Sequence, residues 1–361
     1  MIFDHATNGF KIGSVYSSCS CFQPFHIDFQ FIFHYRTFIT EPCPCHLAET
    51  GDCILCSQLR GKTFCDCINW KGVCIYQEYV WNGNKAKPER KEYLCQITDR
   101  KELDNKVIAL SILTSHKMAQ DLAHPGSFVF MKSPDSGQFY DAPVSIMDVN
   151  LEENIIKTVI EIKGIKTKTI EKLQENEKIL IRGPYWNGVL GLKNIYKSKD
   201  GVSILICRGI GQAPMVPVLK KLYGNGNKII TIVDKCNYED IFIREYLNMC
   251  NSTIIECNTM DDGKLSLNLK ELIINIAEDE GINLIHCSGP DILIYNVLNF
   301  IEENSDDKLK DVKYSCCNNA KMCCGEGICG TCCTRFKGHV TKKMCKVQVD
   351  PKYVFEGRRF L

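Results

Sequence analysis

The sequence lacks an excess of charge of either sign: 44 Lys and Arg stand against 43 Asp and Glu, a formal net charge of +1. The basic residues are spread rather than massed, so neither a nucleic-acid partner nor a membrane surface is indicated. A long apolar run is also missing. The most apolar early stretch, residues 29–39, is short and contains His34 and Arg36, too little for a bilayer span. Residues 1–20 show no basic segment followed by a continuous apolar one, so no export signal is read there. The expectation is a soluble, cytoplasmic protein. Tandem repeats are absent as well.

What the chain has in abundance is sulfur. Its 361 residues, enough for two or three domains, include 23 cysteines, most of them in two clusters at 43–95 and 316–345. A secreted disulfide scaffold would be short and rich in loops, whereas these clusters flank a long stretch alternating apolar strands with helical segments. Metal or cluster ligation is the better reading.

Residues 1–42 have no clean periodicity, and Cys19 and Cys21 stand there without a matching pair; this segment stays unassigned. Residues 43–95 form a Cys-rich extension with too few apolar residues for a self-sufficient core. Across 96–198, short alternating stretches at 106–113, 127–131 and 155–162 are separated by Pro, Gly and Asn, which predicts an antiparallel β-barrel. Across 199–312, a buried strand at 202–207, a glycine turn, a helix near 215–223 and a strand at 228–233 make a βαβ unit. Further strand and helix candidates at 252–257, 267–279, 283–287 and 291–303 extend it into an α/β, Rossmann-like domain. After 312 the composition shifts to Cys and Gly, marking a small C-terminal module at 313–361. The fold class is therefore multidomain.

Cys324, Cys329 and Cys332 have the spacing C-x4-C-x2-C, and Cys345 follows thirteen positions after Cys332, the ligand order of plant-type 2Fe-2S centres. Gly325, Gly327 and Gly330 let the loop wrap tightly, with backbone amides free to donate to cluster sulfurs. Cys316, Cys317, Cys323 and Cys333 are spare, and Cys323 or Cys333 could replace a neighbour by a one-residue shift. A four-cysteine zinc site is the competing reading, but zinc loops usually pair ligands as two C-x2-C knuckles, and one is present here.

The segment ILICRGIGQAPMVPVLKKL sets Gly209, Gly211 and Pro214 between a strand and a helix, where backbone amides can approach a pyrophosphate. A tight turn with no ligand is the bland alternative.

In this order of parts the chain resembles the ferredoxin-NADP reductase-like family, and within it the electron-transfer subunits of dihydroorotate dehydrogenase and their relatives, across about residues 96–361. The resemblance implies a FAD barrel, a NAD(P) domain and a 2Fe-2S module, with a partner catalytic subunit in a hetero-oligomer. On this likeness APVSIMD lies along FAD through Pro143, Val144, Ser145 and Ile146, although Ala142 stands where the family has an arginine. Gly164, Lys166 and Thr167 correspond to the family's G-x-G-T segment, Lys166 replacing a glycine; Lys166 or Lys168 could supply the missing charge. Gly183, Pro184, Asn187 and Gly188 resemble its Gly-Pro loop. HCSGPD resembles the C-G-P motif beside the nicotinamide, carried by Cys287, Ser288, Gly289 and Pro290, with the ring-facing side chain open between Cys287 and Ser288. Asp234, ending the second strand of the βαβ unit, could accept from a ribose hydroxyl, which leans toward NADH.

The N-terminal set Cys43, Cys45, Cys53, Cys56, Cys65, Cys67 and Cys74 suits a second iron-sulfur cluster or zinc, with His46 adjacent. Together these readings predict an NAD(P)H-dependent flavin oxidoreductase subunit that passes electrons between NAD(P)H, FAD and a 2Fe-2S cluster. No catalytic residue beyond the cofactors is required. The competing prediction is a zinc-stabilised nucleotide-binding module without redox turnover.

Overall fold

A computed structural model describes residues 46–53, 56–65, 74–86, 90–135, 137, 141–305, 308–336 and 341–355. The unassigned N-terminal segment and the expected ligands Cys43, Cys45 and Cys67 lie outside the described residues.

Six antiparallel strands close a barrel: β1 (Glu92–Asp104), β2 (Val107–Leu113), β3 (Phe128–Lys132), β4 (Ala142–Asn150), β5 (Ile155–Glu161) and β6 (Lys178–Tyr185), in the order β1-β2-β5-β4-β3-β6. Strict alternation builds it. Along β6, Ile179 and Ile181 point inward while Lys178 and Arg182 do not, the period-2 pattern of a half-buried strand. The helix His116–Leu122 is capped by Ser115, whose hydroxyl accepts from the Met118 amide at 3.2 Å, and it adds Met118 and Leu122 to the barrel core.

The second domain is a six-stranded sheet. It contains β7 (Val189–Leu190), β8 (Val202–Arg208), β9 (Lys228–Asp234), β10 (Thr253–Glu256), β13 (Leu284–Ser288) and β14 (Lys313–Cys317), ordered β10-β9-β8-β13-β14-β7. All pairings are parallel except β14 with β7, the strand that leads out of the barrel. The run Ser203–Ile204–Leu205–Ile206–Cys207 is buried on both faces, as a parallel strand between helical layers must be. Leu205 and Cys207 face the helix Gln212–Gly224, and Ile204 and Ile206 face the helices Leu267–Glu280 and Asp291–Glu303. A small hairpin of β11 (Met260–Asp261) and β12 (Lys264–Leu265) precedes the first of those helices, which Ser266 caps by accepting from Leu269 N. From β8 the chain moves outward to β9 and β10, whereas β13 moves the other way to β14. The β8/β13 boundary is thus the switch point where α/β sheets open a crevice at their carboxyl ends.

The segment after β14 forms a cysteine-rich loop, a hairpin of β15 (Cys333–Arg335) and β16 (Thr341–Lys343), and a short helix Lys352–Phe355. Met322, Cys332, Met344, Cys345 and Val347 share one apolar cluster with Phe128, Phe130 and Tyr185 of the barrel. The loop is therefore held by the barrel's end as well as by the sheet. In the N-terminal extension the described buried set, Ala48, Cys53 and Leu59, is very small. Among the described residues no helix is long and apolar enough to cross a membrane.

Candidate functional site

A cleft of about 790 Å³ opens where the barrel, the switch point and the cysteine-rich loop meet. That is ample for a small-molecule ligand. β4 contributes by parity: Pro143 and Ser145 line the cleft, while Val144 and Ile146 point into the barrel core. The antiparallel pairing of β4 with β3 sets that parity, matching Val129 to Val144 and Phe128 to Ser145.

Ile165 and Lys166 enter the same cleft from the helix Ile165–Glu171. Lys166 Nζ donates to the Asp141 carbonyl at 2.9 Å, which ties this loop to the start of β4. Thr167 is occupied locally: its hydroxyl accepts from the amides of Lys163 and Gly164 at 3.1 and 3.3 Å. Thr167 thus shapes the turn that presents Lys166. Lys166 and Lys321 are the charged residues of the cleft wall, so the wall favours an anion.

Of the RGPYWNG loop, Gly188 lines the cleft. A side chain at Gly188 would strike the Gly126 carbonyl at 2.7 Å. Gly183 abuts Val129, and the Pro184 carbonyl accepts from Arg90. Asn187 is buried, donating to the carbonyls of Met344 and Val347 and accepting from Gln348 Nε2 at 2.6 Å. It fastens the barrel to the segment carrying Cys345.

The glycine turn lies over the switch point. Gly209 adopts φ +55°, and a Cβ on Gly211 would come within 2.2 Å of the Ser288 carbonyl. Pro214 follows at the cleft wall. Asp234 is engaged by its own neighbours: it pairs with Arg208 and accepts from Thr259 N at 2.8 Å, Thr259 Oγ1 at 2.6 Å and Cys236 N at 2.9 Å. Burial opposes its charge, but these hydrogen bonds and Arg208 outweigh burial and hold the carboxyl below its usual pKa. A Cβ on Gly289 would press on Leu293 at 3.1 Å and Arg208 at 3.3 Å, and Pro290 holds the N-cap position of the helix Asp291–Glu303.

Neither candidate for the ring-facing side chain lines the cleft. Cys287 and Ser288 are both 0 % exposed, Cys287 belonging to the core cluster beneath the sheet. Two thiols line the cleft, Cys323 of the cysteine-rich loop and Cys317, which ends the adjacent strand β14 and is followed by Asn318, Asn319 and Lys321. In sequence Cys317 counts among the spare cysteines. Its signal was its place at the end of a strand beside the HCSGPD strand.

The C-terminal cysteines converge in part. Cys324 Sγ accepts from the amides of Glu326, Ile328 and Cys329 at 3.3, 3.4 and 3.5 Å. Positive φ values at Gly325 and Gly327 let the chain turn so that these amides face the sulfur. Contact with the Cys345 thiol, against burial and aided by those amides, lowers Cys324 to a pKa of about 4. Cys345 likewise lowers Cys332 to about 7, and the two neighbours push the Cys345 thiol strongly upward. Cys329 remains exposed on the same loop, its thiol donating to Thr331 Oγ1 at 3.3 Å. Among the described residues no three His, Cys, Asp or Glu side chains already stand in a metal-holding arrangement. The donor set of thiols plus sulfur-directed amides nevertheless has the chemistry an iron-sulfur centre requires. In the extension, Cys53 is buried, Cys56 and Cys74 are partly exposed, and Cys65 is disulfide-bonded, which removes its sulfur from the thiolates available to a metal.

No protein-family model matches the chain. It is 28% identical to the electron transfer subunit of dihydroorotate dehydrogenase B (NAD(+)) of Clostridium acetobutylicum over 229 residues, covering 62% of this chain and 81% of that protein. The subunit of the same description from Streptococcus mutans is 25% identical over 263 residues, 72% of this chain and 94% of that one. The structure of an NADH-dependent reduced ferredoxin-NADP oxidoreductase superposes with a TM-score of 0.57 at 20% identity, covering 73% of this chain and 90% of the other. The barrel followed by a Rossmann-like sheet is thus the ferredoxin-NADP reductase-like fold. Within that class, the proteins it resembles in sequence are the electron transfer subunits of dihydroorotate dehydrogenase B.

Proposed function

We propose that this chain is the electron-transfer subunit of a flavin and iron-sulfur oxidoreductase, taking electrons from a nicotinamide dinucleotide and exchanging them with a separate catalytic partner. The observation that carries the reading is convergence: Pro143 and Ser145, Lys166, Gly188 and Pro214, drawn from four separate sequence segments, line one cleft that Cys323 and Thr331 of the cysteine loop also border. When bound, FAD would accept a hydride from the nucleotide and release its electrons singly to a 2Fe-2S cluster.

The chain's own residues divide the work. Pro143, Ser145 and Phe128 offer a wall on the barrel side, and Lys166 and Lys321 offer positive charge to a pyrophosphate where Ala142 cannot. The Gly209–Gly211 turn brings backbone to the carboxyl ends of β8 and β13, the place a dinucleotide would lie. Cys324, Cys329, Cys332 and Cys345 would hold the two irons, with the amides of Glu326, Ile328 and Cys329 stabilising sulfur charge. Asp234 serves the Arg208–Thr259 network. In the extension, Cys53, Cys56 and Cys74 would join cysteines outside the described residues to hold a second iron-sulfur cluster or zinc, compensating for so small a buried core. The electron-transfer relatives favour this reading over a zinc-stabilised module without turnover.

The test is anaerobic purification with FAD, iron, sulfide and zinc counted per chain, followed by titration with NADH. Stoichiometric FAD, two irons beyond any held by the extension, and bleaching of visible absorption are expected. A colourless, zinc-only protein that takes up no FAD would refute the proposal.

A further inference from the structure

A buried polar chain runs from the cleft into the sheet. Cys317 Sγ lies 2.9 Å from Ser288 Oγ, Ser288 Oγ lies 3.2 Å from His286 Nε2, and His286 Nδ1 lies 2.9 Å from Ser315 Oγ. Strand register puts them on one face. Ser288 is matched to Cys207 and His286 to Leu205 and Ser315, whereas Cys287 is matched to Ile206 and Cys316 on the opposite face. His286, Ser288 and Ser315 are all 0 % exposed, so within this chain of four the opening to the cleft is through Cys317.

Location gives the chain its meaning. It sits at the carboxyl ends of β13 and β14, beside the switch point, under the turn whose Gly211 all but touches the Ser288 carbonyl. We propose that Cys317 is the side chain that touches the reacting ring of the nicotinamide, and that Ser288 and His286 are positioning residues which aim its thiol. This assignment rests on the electron-transfer reading above.

The protonation states fit a neutral contact. Complete burial lowers His286 to a pKa of about 3, so the imidazole is uncharged, with one nitrogen donating and the other accepting. Burial raises Cys317 to about 11, so it is a thiol rather than a nucleophilic thiolate. Two S–H directions satisfy the chain. In one, Cys317 donates to Ser288, which donates to Nε2, while Nδ1–H donates to Ser315. In the other, Ser288 still donates to Nε2 and the S–H is released toward the cleft. An amide-bearing pyridine ring supplies both a carbonyl for that S–H and an aromatic surface for sulfur. On arrival of the ring the S–H turns from Ser288 to the amide carbonyl while Ser288 keeps donating to Nε2, so no heavy atom moves and no bond to sulfur or nitrogen forms or breaks.

The experiment uses the anaerobic FAD-loaded protein and reads Cys317 at the peptide level by mass spectrometry after a pulse of iodoacetamide. At NAD+ ten times its Kd, alkylation of Cys317 is expected to slow roughly tenfold, since about a tenth of the sites stay open. In Cys317→Ala, rapid mixing with NADH is expected to bleach the flavin roughly tenfold more slowly with FAD content unchanged, the scale of a misaligned ring. Cys317→Ser, which keeps a donor, recovers part of that rate. Ser288→Ala and, independently, His286→Gln are expected to lose the NAD+ protection of Cys317 while their FAD content persists. NADH bleaching at the wild-type rate in Cys317→Ala, or alkylation of Cys317 indifferent to NAD+, overturns the assignment and leaves the electron-transfer reading standing. Wild-type protein that binds FAD yet is not bleached by NADH sinks both.

Discussion

Arg90 grips both carboxylate oxygens of Glu326, at 2.9 and 2.7 Å, joining the segment just ahead of β1 to the middle of the cysteine loop. Both side chains are about nine-tenths buried. The guanidinium also lies over the Tyr185 ring at 4.2 Å, and Tyr185 donates to Glu326 at 3.0 Å, with Lys346 at 3.5 Å. Burial opposes the Glu326 charge, yet Arg90 and Lys346 keep its pKa below the usual range. The pair clamps the loop that presents Cys324 against the barrel wall.

Arg90→Ala leaves that carboxylate buried and half-paired, so a loss of about 3 kcal/mol in unfolding free energy is expected, within the range for breaking a buried pair from one side. Urea denaturation of the purified protein measures it. Arg90→Lys keeps the charge but loses the Nε donor to the Pro184 carbonyl and the guanidinium plane over Tyr185, and should fall between. An alanine variant as stable as wild type would show that the clamp is ornamental.

His286 predicts an acid dependence. Its pKa falls from 6.5 to about 3 on burial, so the unfolded chain binds a proton more readily than the folded one between those values. Stability is therefore fully present above pH 6.5 and drains as pH falls toward 3, with a slope of about 1.4 kcal/mol per pH unit from this residue. His286→Gln should flatten the wild-type stability curve by one proton between pH 6 and 4, as approximate bounds for denaturation series. Identical slopes in the two proteins would contradict a buried neutral imidazole.

Gly211 has no room for a methyl group, because its Cβ would sit 2.2 Å from the Ser288 carbonyl. Gly211→Ala must push the turn off β13, at a cost of about 1–3 kcal/mol for overpacking. NADH titration followed by flavin absorbance should show weakened nucleotide binding with FAD content retained. Unchanged NADH affinity would mean the turn does not border the nucleotide.

The four-cysteine register is open to direct chemistry. Alanine at Cys324, Cys332 or Cys345 should abolish the paramagnetic signal of the dithionite-reduced cluster, because each supplies one of the four thiolates proposed to hold it. Alanine at Cys333, exposed on β15, should leave iron and sulfide counts unchanged. Loss of the cluster in Cys333→Ala would shift the ligand set by one residue.

Much of this architecture could be read from local pattern. The stretches 106–113 and 155–162 alternate because a barrel strand faces core and solvent in turn, and they lie in β2 and β5. The run 202–207 is apolar throughout because β8 is covered on both sides. The glycine turn at Gly209 and Gly211 is legible in the same way, from its place between a strand and a helix, whereas the APVSIMD stretch is assigned through the family resemblance. Which side chains of those segments reach the cleft was not legible, since β4 parity depends on pairing with β3, and Pro143 and Ser145 emerge while Val144 and Ile146 are hidden.

The chain's own order of residues determined where strands, turns and cysteine spacing fall, because those follow from short-range sterics, periodicity and ligand geometry. Tertiary structure alone decided that Cys317 rather than Cys287 borders the cleft, that Asp234 serves Arg208, and that Arg90 holds the cysteine loop. Each depends on contacts between residues remote in sequence, whose relative placement is set by strand register and helix packing rather than by anything encoded next to them.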